Sequence, residues 1–186
     1  MNERLSTFTL AVDDALREES DEGGVLTKVK SAMAALVARD DWLPDEFAQP
    51  HPVHYQQYLL YLDPQDRYSV VSFVWGPGQF TPIHDHTIWG VIGMLRGSER
   101  SEGFRLVEGG IESTGAPDLL MPSDVAAVSP RIGDIHRVSN ALNDRTSISI
   151  HAYGGNIGSR VRHVFDEKTG APKLFRSGYA NRTSTS

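Results

Sequence analysis

The chain has no cysteine among its 186 residues, which excludes disulfide staples, thiolate metal sites and a cysteine nucleophile together. It also has no apolar stretch of transmembrane length. Its start, MNERLSTFTLAVDDALREE, puts acids where a secretory signal needs a cationic end and an apolar run. A cytoplasmic location is the expectation. Positive charge is in short supply as well. A net charge of −6 and a pI near 5.6 provide no broad positive field, so neither nucleic acid nor an anionic membrane is expected as the main partner.

What is present points to a single globular domain built around a small-molecule site. Hydrophobic residues make up 39% and charged residues 23%, a balance that disfavours disorder, and the length is enough to close one apolar core. From Ser6 to about Trp42, apolar residues recur at three- and four-residue spacings (Phe8, Val12, Ala15, Leu16, then Val25, Val29, Met33, Leu36, Val37). That spacing predicts helix, broken in two around Asp21 to Gly24. From Tyr55 the pattern changes to short runs such as QYLLYL, YSVVSFVW, WGVIGML, SERSEGFRLV, DVAAVS, HRVSN and TSISIHAYG, separated by Gly and Pro turns. Many short strands without intervening helical periods predict a mainly β jelly-roll barrel carrying an N-terminal helical cap. The expected layout is a cap over 1–48, a barrel over 49–170 and an irregular tail over 171–186. Leu174, Phe175 and Tyr179 are candidates to dock on the barrel, and the last few residues are expected to fray.

The chemistry is concentrated in the histidines. His84 and His86, in TPIHDHTIWG, stand two apart; in extended chain both rings face one way and Asp85 the other. Gly78 precedes His84 with five residues between, Gly97 closes the segment, and His136 recurs in PRIGDIHRVSN, flanked by Gly133 and Asn140. This constellation resembles the two cupin motifs. Where the first motif usually carries a glutamate this chain has Gly90, which leaves three imidazoles and no carboxylate. Imidazole suits zinc, copper, iron and nickel alike, so ligand type alone does not select the metal.

Ser149, His151 and Tyr153 alternate in SISIHAYGG and share one strand face. With HDHTIWG and GDIHRVSN, this row resembles the thiol dioxygenases, the family of cysteine dioxygenase and the bacterial 3-mercaptopropionate dioxygenases. The resemblance covers about Gln57 to Arg162. It implies a cupin barrel with iron(II) on His84, His86 and His136, no organic cofactor, and addition of both atoms of O₂ to the sulfur of a small thiol. It further implies a Ser149–His151–Tyr153 relay beside the reacting groups. The animal enzymes carry a carboxylate-gripping Arg where Gln57 stands, and a Cys-Tyr thioether that a chain without cysteine cannot form. In the bacterial branch with this Gln a downstream Arg takes over. Arg162 matches it, so the resemblance implies that Arg162 holds the substrate carboxylate with help from Gln57, with Arg160 as the nearest competitor. The leading substrate is then 3-mercaptopropionate, with cysteine and mercaptosuccinate as alternatives. A zinc- or manganese-dependent cupin lyase, isomerase or hydrolase, or a non-catalytic ligand-binding cupin, are the readings from other classes.

Overall fold

The structure, a computed structural model, describes residues 2 to 182; the terminal residues expected to fray lie outside the described residues. Two helices come first, α1 over Glu3–Glu18 and α2 over Glu22–Val37. Asn2 caps the first, its side chain accepting from the Leu5 amide, and Asp21 caps the second by accepting from the Gly24 amide. The break therefore falls at 19–21, and both glycines of the expected break lie inside the first turn of α2, a correction of two to three residues. Asp21 wins because its carboxylate satisfies an amide that the helix start leaves free. Among the described residues, no helix is long and apolar enough to cross a membrane.

Twelve strands follow: β1 Gln56–Leu62, β2 Ser69–Trp75, β3 Ile83–His84, β4 Gly90–Arg96, β5 Glu99–Val107, β6 Gly110–Ser113, β7 Asp118–Leu120, β8 Val125–Val128, β9 His136–Asn140, β10 Ser147–Tyr153, β11 Arg162–Phe165 and β12 Pro172–Phe175. They form one sheet in the order β1-β2-β10-β4-β8 and another in the order β12-β11-β3-β9-β5-β6, with β7 on β5. The paired strands named here are antiparallel. Strands distant in sequence lie side by side, as β10 does between β2 and β4. This is the double-stranded β-helix of a cupin, mainly β, with two N-terminal helices.

The central strands β2, β10 and β4 are buried on both faces; β2 and β4 read as nearly unbroken apolar runs, whereas β10 alternates polar and apolar residues. One face, with Val70, Val74, Val91, Ile148, Ile150 and Ala152, packs against Phe8, Val12, Val29 and Met33 of the helices. The other, with Val71, Phe73, Trp75 and Tyr153, looks into the barrel. Helix α2 comes close to β4 because Gly93 has no side chain: a Cβ there would lie 2.6 Å from Met33 Cγ. The helical cap is thus the outer wall of the core sheet.

The irregular tail over 171–186 is corrected by β12, which pairs along β11 with Phe175 opposite Arg162. Alternation is hard to see in a four-residue strand, so sequence pattern alone missed it. Tyr179 docks as expected, its hydroxyl accepting from the Gly158 amide and donating to Asn156. Leu174 does not dock and is 64% exposed.

Candidate metal centre

His84 lies on β3, opposite His136 on β9 in the strand register, and His86 follows just beyond β3. Their rings form a nearly equilateral triangle, with centroids 4.8 to 4.9 Å apart. The ring nitrogens offered lie within 4.8 Å of one another, and all three residues are buried. Burial disfavours charge, pushing His84 down to about 4 and the other two well below the ordinary imidazole range. Neutral imidazole is the form that binds a metal.

Each ring is oriented by a partner on Nδ1. His84 Nδ1 lies 3.0 Å from the Pro82 carbonyl oxygen, His86 Nδ1 3.0 Å from Asp134 Oδ1, and His136 Nδ1 3.2 Å from Ser101 Oγ. The carbonyl and the carboxylate accept, and the hydroxyl can. With the proton on Nδ1, each ring keeps its Nε2 lone pair for a common point. The donor set therefore fits a divalent cation. Asp134 also accepts from the amides of His86 and Thr87, which holds Thr87 at a φ of 60°, a conformation that a β-branched residue rarely adopts. Asp85, pointing away as its alternation predicts, accepts from the His163 amide and lies 2.8 Å from its Nδ1. Asn140 of the second motif donates to the carbonyls of Trp75, Gly76 and Arg145, so its role is to pin turns.

The Ser149, His151 and Tyr153 row forms a continuous chain. Ser149 Oγ lies 2.7 Å from His151 Nε2, and His151 Nδ1 lies 2.8 Å from the Tyr153 hydroxyl. Burial pushes His151 down to about 3 and Tyr153 well up, so the chain is neutral throughout. The Tyr153 ring stacks on His86 at 5.3 Å between centroids and 20° between planes. It also explains the glycine at position 90: a Cβ there would meet Tyr153 Cδ1 and Cε1 at 2.8 Å and Val128 Cγ2 at 3.1 Å. Space that a carboxylate side chain would need belongs to the phenol. Gly90→Ala is expected to cost about 1–3 kcal/mol through overpacking, read as a lower denaturation midpoint, while metal content stays at the wild-type level.

Arg162, at the start of β11, is 4% exposed. Its guanidinium lies over the Phe175 ring at 4.6 Å and donates to Ser177 Oγ at 2.8 Å and to the Asp85 carbonyl at 3.4 Å. Its Nε has no partner, and among the described residues it makes no salt bridge. Burial lowers its pKa, and its charge is felt at His84, His86 and Tyr153. Arg160 is exposed and bonds Thr87. Gln57 is buried, its amide nitrogen committed to the Gly178 carbonyl at 3.1 Å. It thereby ties β1 to the segment that carries Ser177.

The chain is similar in sequence to a cysteine dioxygenase. Cysteine dioxygenase type 1 of Danio rerio is 26% identical over 152 residues, covering 77% of this chain and 72% of that protein. No protein-family profile matches the sequence. Among solved structures, an uncharacterized protein with a double-stranded β-helix domain from Klebsiella pneumoniae aligns at a TM-score of 0.49 and 16% identity, covering 72% of this chain and 96% of that one. A cupin-like protein from Thermotoga maritima aligns at 0.43 and 20%, covering 53% of this chain and 67% of its own.

Sequence reading missed Asp134, Ser101, Ser177 and Glu99. Asp134 sits inside GDIHRVSN, where it reads as a turn residue, and the others lie in polar stretches with no metal-site signature.

Proposed function

We propose that this protein is a non-haem iron(II) thiol dioxygenase acting on a small thiol that carries a carboxylate. His84, His86 and His136 would hold the iron. The observation that carries the reading is the conjunction of three neutral, Nδ1-tethered histidines with a stacked Tyr153 and a buried Arg162 that makes no salt bridge among the described residues. Iron(II) on three neutral imidazoles would supply the redox chemistry between thiolate and O₂. The overall change is RSH + O₂ → RSO₂⁻ + H⁺, which needs no other reductant.

The protein's own groups bind and orient. A buried cation without an anion is costly, and a substrate carboxylate would relieve that cost through two parallel charge-assisted hydrogen bonds to Arg162. Gln57 supports this by steadying the Gly178 segment. Tyr153, against His86, would hydrogen-bond the substrate or oxygen atoms, with His151 and Ser149 fixing its hydroxyl. The acids beside the histidines, Asp85 and Asp134, are engaged by His163 and His86, which leaves poor provision for an α-ammonium. That favours 3-mercaptopropionate, giving 3-sulfinopropionate, over cysteine.

Anaerobic loading with iron(II) followed by air should give oxygen uptake and sulfinate with 3-mercaptopropionate, and less with cysteine or mercaptosuccinate. Uptake with none of the three would defeat the reading. Full activity only with zinc, and on a non-thiol substrate, would favour a hydrolytic or lyase cupin. Tyr153→Phe should keep its iron and lose up to roughly 10²-fold in rate or coupling, as for one active-site hydrogen bond. Unchanged turnover and coupling would remove Tyr153 from the reaction.

A further inference from the structure

Behind the relay lies a cavity of about 460 Å³, lined in part by Ile92, Glu99, Ser101, Val138, His136 and His151. Glu99 is the first residue of β5 and is 2% exposed. The Ser149 hydroxyl and the Trp75 indole lie close enough to act on its carboxyl, and Trp75 Nε1 lies 3.5 Å from Ser149 Oγ. Glu99 Oε1 has no partner. A buried carboxyl with an unpaired oxygen at the end of a three-membered polar chain has no packing rationale.

We propose that Glu99 is the far end of the Ser149–His151–Tyr153 row and that its proton sets the direction of every hydrogen bond in it. His151 is neutral and owns one N–H. When Glu99 is protonated it donates to Ser149, Ser149 donates to His151 Nε2, and His151 Nδ1–H donates to Tyr153. The phenol proton is then free to point at the histidine cluster. When Glu99 is a carboxylate it accepts from Ser149, His151 carries its proton on Nε2, and the phenol is turned inward onto Nδ1. Only the first arrangement lets Tyr153 donate to an anionic sulfur or oxygen. Glu99 thus acts through the row as a positioning residue, a role that rests on the dioxygenase reading only for its effect on turnover.

Burial pushes Glu99 up to about 7, opposed by Ser149 and Trp75, so both arrangements are accessible near neutral pH. The other ionisable groups around it are His136 on β9, His151 and Tyr153 on β10, and the exposed Asp118 on β7 across the cavity. Arg137 on β9 is paired with Glu102 and Glu167. His136, His151 and Tyr153 keep neutral forms through this range, which leaves Glu99 as the buried switch.

The test is long-range proton–nitrogen NMR of the His151 ring in the zinc-loaded protein, zinc being diamagnetic and suited to imidazole. The His151 proton should move from Nδ1 to Nε2 as pH rises through neutrality. Glu99→Gln, whose amide does not ionise, should hold the His151 proton on one nitrogen at every pH. Ser149→Ala should uncouple it from pH, and that variant serves if Glu99→Gln fails to fold. A wild-type ring that keeps one tautomer, or a switch that survives in both variants, overturns the proposal. The spectra do not depend on thiol oxidation, so they stand apart from the failure of that reading. With iron and thiol, the wild-type pH–rate profile should show a neutral ionisation that Glu99→Gln abolishes.

Discussion

His136→Ala is expected to leave a protein that folds but does not retain metal, and this is the largest single effect the site predicts. Among the described residues three imidazoles are the whole donor set, so removing one leaves two ligands. Gly90 cannot help, since its space is filled by Tyr153. His84→Ala and His86→Ala should behave alike. The orienting residues provide the scale: loss of a partner such as Asp134 or Ser101 should weaken the metal by roughly 10- to 100-fold. Loss of a ligand should exceed that and drop iron content after dialysis to background. Asp134→Ala should be the more severe of the two orienting variants, because that carboxylate also secures the amides of His86 and Thr87. Iron analysis of the dialysed variants decides this. Wild-type iron in His136→Ala would mean that the triangle of rings is not a metal site.

The histidine triangle was legible in sequence because its geometry is local twice over. His84 and His86 share a face through strand alternation, and His136 sits in a turn-strand segment punctuated by Gly133 and Asn140. The relay was legible for the same reason, since Ser149, His151 and Tyr153 alternate along one strand. The helical stripes and the long central strands were also visible. What remained hidden depends on tertiary placement. The strands β3, β6, β7 and β12 are two to four residues long, too short for a period to register, and they exist because a neighbouring strand supplies partners. Glu99 lies in SERSEGFRLV, which reads as a strand, but no local rule says that its first carboxylate turns into the barrel. Gly90 shows the opposite case. The residue was readable as a vacancy, but only packing reveals that a phenol from β10 occupies the space.

Arg162→Ala is expected to raise the KM for 3-mercaptopropionate with a much smaller change for cysteamine, which has a thiol and no carboxylate. A charged hydrogen-bonded pair in a site this buried is worth about 1.5–3 kcal/mol, on the order of ten- to a hundred-fold in kcat/KM. Arg162→Lys should recover only part of the loss, because an ammonium keeps the charge but cannot present two parallel donors. Arg160→Ala is the control, since that side chain is exposed and tied to Thr87. A role in binding also predicts an unusual stability result. Arg162 is a buried cation whose Nε is unpaired and which, among the described residues, makes no salt bridge, being held by Ser177, the Asp85 carbonyl and the face of Phe175. Replacing such a group by an apolar side chain of similar length removes a desolvation cost that no partner repays in the free protein. Arg162→Met is therefore expected to keep or raise the melting temperature while losing the carboxylate-dependent part of substrate binding. A structural arginine would show the reverse, a lower melting temperature with substrate preference intact. Should Arg160→Ala carry the carboxylate-dependent defect and Arg162→Ala none, carboxylate recognition moves to Arg160. Should neither variant distinguish the two thiols, the case for 3-mercaptopropionate loses its physical basis.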